Sequence, residues 1–231
     1  MHTLQNILFV APVLLFSVIA HEYAHGYAAL KQGDDTALML GRLTWNPVKH
    51  IDPFLTIILP LVMGYSSNWR VMLGGAKPVP VDPRKYRNYK RGDIIVSLAG
   101  VATNLLIAIG CTIVIALLGL IAKAAPVVDV TVGIVQIMMI YGVLINLGLI
   151  AFNLIPIPPL DGSHVVKYLL PPAWSLKYQE FARYGFIILI FLLYFGRSLI
   201  DMWMKPAFFV TTLLLTSVDQ LLLPAAVAWF R

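Results

Sequence analysis

Charge is what this sequence has least of. Only 12% of its 231 residues are charged, and it holds two glutamates (Glu22 and Glu180), five histidines and one cysteine. That lone thiol, Cys111, lies inside an apolar run, which excludes an intrachain disulfide and any multi-thiolate metal site. So few charges beside 59% hydrophobic residues and a mean hydropathy of +0.82 exclude an ordinary soluble enzyme, which is about half apolar and a quarter charged. A disordered or nucleic-acid-binding tail is excluded as well. The net charge of +6 reads as loops facing anionic lipid headgroups and implies no nucleic-acid partner.

What is present is a series of long apolar runs. At roughly 20 residues per bilayer-spanning helix, the chain accommodates about five or six membrane segments. The first, about Leu4 to Leu30, has no Lys or Arg before it to form a signal-peptide n-region, so it reads as a retained helix. Lys31 to Asp52 is polar and turn-rich, and within it Thr36–Leu40 and Leu43–Trp45 predict a short β-hairpin. Phe54 to Met63, about ten apolar residues bracketed by Pro53, Pro60 and Gly64, is short for a span and reads as re-entrant. Spans follow at about Ile94–Ile121 and Thr131–Ile155. A proline break at Pro156–Pro159 comes next, then apolar runs at Tyr184–Phe195 and Pro206–Trp229. The expected fold is an all-α polytopic membrane protein with about five transmembrane helices, one re-entrant segment and a short β-hairpin.

Counting charges orients it. If Phe54–Met63 does not cross, the ten Lys and Arg between Lys31 and Arg91 share one side with Lys167, Lys177, Arg183 and Arg231. The other side keeps Lys123, Arg197 and Lys205. The positive-inside rule then puts the N-terminus outside and the C-terminus in the cytoplasm.

One of the two glutamates stands between two of the five histidines, in His21-Glu22-Tyr23-Ala24-His25. On a helix, positions i and i+4 share a face, so both imidazoles reach a single Zn²⁺. Glu22, rotated about 100° from His21, can take a proton from a metal-activated water. A catalytic zinc needs a third protein ligand. The candidates are Asp161, in Asn153-Leu-Ile-Pro-Ile-Pro-Pro-Leu-Asp-Gly162, then His164 and Glu180. With the re-entrant assignment two crossings separate Asp161 from His21 and His25, which places them at one membrane face. His164 and Glu180 share that face, so all three remain open. His50 and His2 fall in loops and read as solvated. Gly100, Gly110, Gly119, Gly142 and Gly148 read as helix-packing residues, and Trp45, Trp69, Trp174 and Trp203 as interfacial anchors.

H-E-x-x-H in an early helix and N-x-x-P-x-P-x-L-D-G after a later one resemble the site-2 protease family of intramembrane zinc metalloproteases. Gly41-Arg-Leu-Thr-Trp-Asn-Pro-Val-Lys-His-Ile-Asp-Pro53 and Gly75-Ala-Lys-Pro-Val-Pro-Val81 are similar to segments of a compact subgroup without PDZ or CBS modules. Where the family commonly shows A-G-P-x-x-N, this chain has Ala99-Gly-Val-Ala-Thr-Asn104, with Val101 in place of proline. The resemblance implies His21, His25 and Asp161 as ligands of one catalytic Zn²⁺ and Glu22 as general base. It also implies a single membrane-embedded metalloprotease domain over 1–231, with its catalytic core at about 1–170 and accessory helices at about 178–231. Asn153 and Asn104 are candidate oxyanion or substrate-backbone donors; an interhelical hydrogen bond is the alternative role for each. The expected substrates are membrane-protein helices in the lipid bilayer, cut from the cytoplasmic side of a prokaryotic cell (inner) membrane. The competing expectations are a zinc transporter or metal sensor with the same ligands and no hydrolysis, and an inactive relative that only binds membrane helices.

Overall fold

The structure, a computed structural model, describes residues 2–66, 74–124 and 129–230. Trp69 lies outside them. The helices are α1 (His2–Gln32), α2 (Thr36–Met39), α3 (Leu59–Ser66, entered through a π-helical run at Pro53–Ile58), α4 (Tyr89–Ala124) and α5 (Asp129–Asn153). They continue with α6 (Asp161–Val166), α7 (Pro172–Phe181), α8 (Gly185–Phe195), α9 (Arg197–Thr216) and α10 (Pro224–Trp229). Among the described residues five helical stretches are long and apolar enough to cross a membrane: Ile7–Gln32, Tyr89–Ala124, Asp129–Asn153, Pro172–Phe195 and Arg197–Thr216. Helices suit this composition because a backbone in hydrocarbon must satisfy its own hydrogen bonds.

The chain divides into two compact units. One comprises Met1–Ser17, Asn104–Ala151 and Met204–Arg231. Its core is built on α4 and α5 from Ala108, Cys111, Ile115, Ile137, Ile140, Val143 and Leu147, with Val218 and Ala226 from the C-terminal segment. Cys111 is a buried free thiol. Gln136, fully buried, donates to the carbonyls of Ile115 and Leu221 and accepts the Leu223 N–H. Those bonds explain a correction at the C-terminus. The apolar run from Pro206 to Trp229 is not one span: α9 starts at Arg197, carries Pro206 inside it and stops at Thr216. A 3₁₀ turn at Asp219–Leu221 and α10 then fold back onto α4 and α5. Trp229 packs edge-on against Phe9, with ring centroids 5.2 Å apart.

The second unit comprises Val18–Thr103 and Phe152–Trp203. Here the expected β-hairpin is absent: among the described residues there is no strand, and Thr36–Met39 is a helical turn. The two glycines that flank the expected first strand terminate helices instead. Gly33 (φ +110°) and Gly41 (φ +62°) both adopt the left-handed conformation. Around each the C-terminal carbonyls are closed in the same pattern: Gly33 N–H to Leu30 and Asp34 N–H to Ala29, then Gly41 N–H to Leu38 and Arg42 N–H to Ala37. This is the Schellman ending, for which glycine has no Cβ penalty. Asp34, fully buried, secures the turn between them by accepting from the Thr36 N–H and hydroxyl.

The apolar excursion that begins at Pro53 returns to its starting point. The Gly75 N–H donates to the Leu55 carbonyl at 3.1 Å, and the Thr56 hydroxyl donates to the Gly75 carbonyl at 2.7 Å. From there the chain runs on as an extended strap over 77–82, tied on four sides. The Lys77 N–H donates to the His50 carbonyl, and the Arg42 guanidinium donates to the carbonyls of Lys77 and Pro78. The Val79 N–H donates to Glu22, and the Asp82 N–H donates to Asp34. His50 is therefore not solvated: it is 2% exposed, with Nε2 2.9 Å from the Thr44 carbonyl.

Candidate metal centre

α1 presents its motif on two edges. His21 and His25, one turn apart, face α4; Glu22 and Gly26, also one turn apart, face the strap. On the first edge, His25 Nδ1 sits 2.7 Å from the Val96 carbonyl of α4. A carbonyl can only accept, so Nδ1 carries the proton and Nε2 is left with its lone pair, the form a metal-binding imidazole needs. Gly100, one turn further along α4, supplies the clearance. A Cβ there would lie 2.5 Å from His21 Cε1 and 2.6 Å from Nε2 of both His21 and His25.

Asp161 arrives from a different part of the chain. α5 ends at Asn153, the proline-rich segment 154–160 reverses direction, and Asp161 opens α6. Gly162 lets this turn press against the end of α5, since a Cβ there would meet the Leu154 carbonyl oxygen at 2.3 Å. The Asp161 Oδ2 lies 3.2 Å from His21 Nε2 and 3.4 Å from His25 Nε2, and the two Nε2 atoms are 2.9 Å apart. Bonds of 2.0–2.1 Å meeting at a tetrahedral angle would set three donors roughly 3.3 Å apart. The triangle therefore fits a single Zn²⁺ closely. A further observation agrees: Asp161 Oδ2 is buried without a hydrogen bond. Burial pushes the Asp161 carboxyl up, but the imidazoles of His21 and His25 outweigh it and hold the group well below the usual carboxylate range.

On the second edge, Glu22 Oε2 accepts the Val79 N–H at 2.8 Å. Gly26 makes that approach possible: a Cβ there would stand 2.9 Å from Val79 Cγ1 and 3.2 Å from Leu43 Cδ1. Because Val79 lies between Pro78 and Pro80, its N–H is the one backbone donor of that tripeptide.

The other sequence candidates separate clearly. His164 does not join the triangle; its Nδ1 lies 3.2 Å from Asp93. Glu180 is exposed on α7. Asn153 is the last residue of α5. Asn104 is fully buried, and both atoms of its side-chain amide lack a hydrogen-bond partner. The sequence reading did not find the roles of Gly100, the Val96 carbonyl or the Val79 N–H. Of these only Gly100 has a signal in the sequence, and a helix glycine reads as a packing residue.

A family model described as peptidase family M50 matches residues 9–132 and 118–195. The chain is similar to a Bacillus subtilis (strain 168) protein described as "Putative zinc metalloprotease YwhC", at 40% identity over 182 residues, 78% of this chain and 77% of that one. Two mycobacterial proteins described in the same terms, with the name Rip2, are also similar. The one from Mycolicibacterium smegmatis is 29% identical, covering 78% of this chain and 64% of its own length. The one from Mycobacterium tuberculosis (strain H37Rv) is 25% identical, covering 77% and 63%. The match thus spans slightly under two thirds of the mycobacterial relatives. No solved structure matches the chain.

Proposed function

Because the chain belongs to peptidase family M50, the site-2 proteases, and is a membrane-embedded zinc metalloprotease, we propose that it hydrolyses peptide bonds within or beside transmembrane segments of other membrane proteins. In this reading His21, His25 and Asp161 hold the one catalytic zinc and Glu22 is the general base. The observation that carries it is the convergence of three donor atoms from α1 and α6 at tetrahedral spacing, one residue from a carboxylate, in a chain of apolar helices. Membership of a peptidase family displaces the transporter and sensor alternatives.

When bound, the zinc supplies Lewis acidity, polarising the scissile carbonyl and bringing the pKa of a water toward about 7. The protein's own groups do the rest. The Val96 carbonyl fixes the His25 tautomer. Val79 N–H holds one Glu22 oxygen, which orients the carboxylate so that the other can take a proton from the attacking water and return it to the leaving amine. Asn104, buried with its amide unsatisfied, and Asn153 are the proposed donors to the oxyanion or the substrate backbone. A helical substrate must unwind locally before its carbonyl becomes accessible.

The catalytic machinery belongs to about residues 1–170, the helices from about 178 being accessory. The clasp between Thr56 and Gly75 supports the re-entrant reading of Phe54–Met63, because a segment whose ends are joined makes no net crossing. That parity, with the basic loops, supports a site facing the cytoplasm of a prokaryotic cell (inner) membrane.

The test is Glu22→Gln, which keeps shape and removes the base. Zinc content is expected to stay at the wild-type level while cleavage of a model membrane substrate is lost. Wild-type turnover in that variant would rule out Glu22 as the base.

A further inference from the structure

Asp93 is a buried carboxylate that none of the steps above uses; it is 3% exposed, in the second turn of α4. Its oxygens face His164 Nδ1 at 3.2 Å and the Tyr168 hydroxyl at 2.9 Å, with the Lys167 ammonium in contact as well. All three groups come from α6 and the turn that follows it, immediately downstream of Asp161. The ring of Tyr168 is in turn flanked by the Lys167 and Lys90 ammonium groups, 4.9 and 5.4 Å from its centroid.

Asp93 also stands in register with the two α4 residues already found at the metal centre. Positions 93, 96 and 100 are spaced i, i+3, i+7 and therefore share one helix face. Val96 on that face fixes His25, and Gly100 abuts His21 and His25. Asp161 comes from a different element and is the donor with the weakest local support. It rides on a helix of six residues, too short to hold a conformation by itself, entered through a proline break. Something outside α6 must fix it. A buried carboxylate accepting from three side chains of that short element is such an anchor, because each bond is charge-assisted and forms in a desolvated setting.

We propose that Asp93 is a positioning residue of the metal centre: it docks α6 on α4 and thereby sets where the Asp161 carboxylate meets His21 and His25. The inference rests on the reading of those three residues as zinc ligands. One face of α4 then governs the whole donor triangle, through a side chain, a carbonyl and a missing side chain.

The experiment measures zinc affinity of the purified full-length chain in detergent by chelator competition. It compares wild type with Asp93→Asn, Asp161→Ala and Gln136→Leu, alongside the thermal midpoint of each metal-free protein. Gln136→Leu removes a buried polar network from the other unit and controls for general destabilisation. Asp161→Ala is expected to abolish tight binding. Asp93→Asn is expected to weaken it about tenfold, the lower end of what outer-sphere partners contribute, with Asp93→Glu recovering part of the loss. Gln136→Leu should bind as wild type. Should Asp93→Asn fail to fold, the double variant Lys167→Met, Tyr168→Phe carries the test, since it removes two of the three contacts and leaves Asp93 in place; it too should weaken binding. Wild-type affinity in Asp93→Asn, or in the double variant where that one does not fold, would overturn the anchoring role while leaving the ligand set intact. An equal loss in Gln136→Leu would overturn it too, by making the effect one of general stability. Wild-type affinity in Asp161→Ala would instead overturn the ligand assignment beneath it.

Discussion

Replacing Gly100 with alanine adds one methyl group at the point where α4 meets the two imidazoles. The new carbon would lie 2.5–2.6 Å from His21 Cε1 and from both Nε2 atoms, whereas nonbonded heavy atoms settle at about 3.5–4.0 Å. Roughly 1 Å of movement is therefore required. Little is available: His25 is held by the Val96 carbonyl one turn away on the same helix, and zinc sites keep their bond lengths within about 0.2 Å. Overpacking of this kind costs about 1–3 kcal/mol. If that cost falls on the metal-bound geometry, zinc affinity drops by roughly 5- to 150-fold. The helix itself should not suffer, because alanine is favoured over glycine in a helix by about 1 kcal/mol. Chelator competition on purified protein measures the affinity, and circular dichroism monitors helicity. Gly110→Ala is the matched control, since a Cβ at that position of the same helix meets nothing within 4 Å. Zinc binding by Gly100→Ala equal to that of Gly110→Ala would refute the steric reasoning and with it the placement of the donors against α4.

Asp161→Ala is expected to lower zinc content sharply, whereas His164→Ala leaves two of the three Asp93 contacts and should retain it; metal analysis showing the reverse would transfer the ligand role to His164. Val79→Pro removes the donor to Glu22, a charge-assisted bond of about 1.5–3 kcal/mol, so turnover should fall roughly 10- to 100-fold with zinc retained, while Val79→Ala keeps most activity; equal turnover of the two would show that the N–H is dispensable. Lys85→Cys is expected to react with a membrane-impermeant thiol reagent only from the cytoplasmic side, and labelling from outside would reject the orientation.

The motif side chains of the metal centre are legible in the sequence, and the backbone groups that hold them are not. His21, Glu22 and His25 declare themselves because helical periodicity alone puts two imidazoles on one face. Counting crossings, with Phe54–Met63 read as non-crossing, puts Asp161 at the face of the two histidines but leaves His164 and Glu180 there too; only the family resemblance singles out Asp161. The Val79 N–H and the Val96 carbonyl have no signature in an amino-acid string, since every residue but proline offers the same groups. Gly100 is visible but ambiguous, because a helix glycine that clears a neighbouring helix and one that clears a metal ligand look alike. The hairpin was misread for a similar reason: glycine at 33 and 41 serves a left-handed turn in a hairpin and a helix terminus equally well, and the buried Asp34 between them decided for the helix. The C-terminal apolar run hid its own break, because the partner that seats Leu221–Leu223 is Gln136, some 85 residues upstream.

The two-edged presentation of α1 has a consequence for anyone building variants of this protein. One residue added or removed between His21 and Gly26 would turn everything beyond it by about 100° and slide it 1.5 Å. A change between Glu22 and His25 would part the two imidazoles, and part Glu22 from Gly26, in the same event, with no compensating shift able to restore both pairs. Libraries of this stretch can therefore explore identity but never length, and deletion scanning should find a sharply bounded six-residue window in which no length variant retains both metal and turnover.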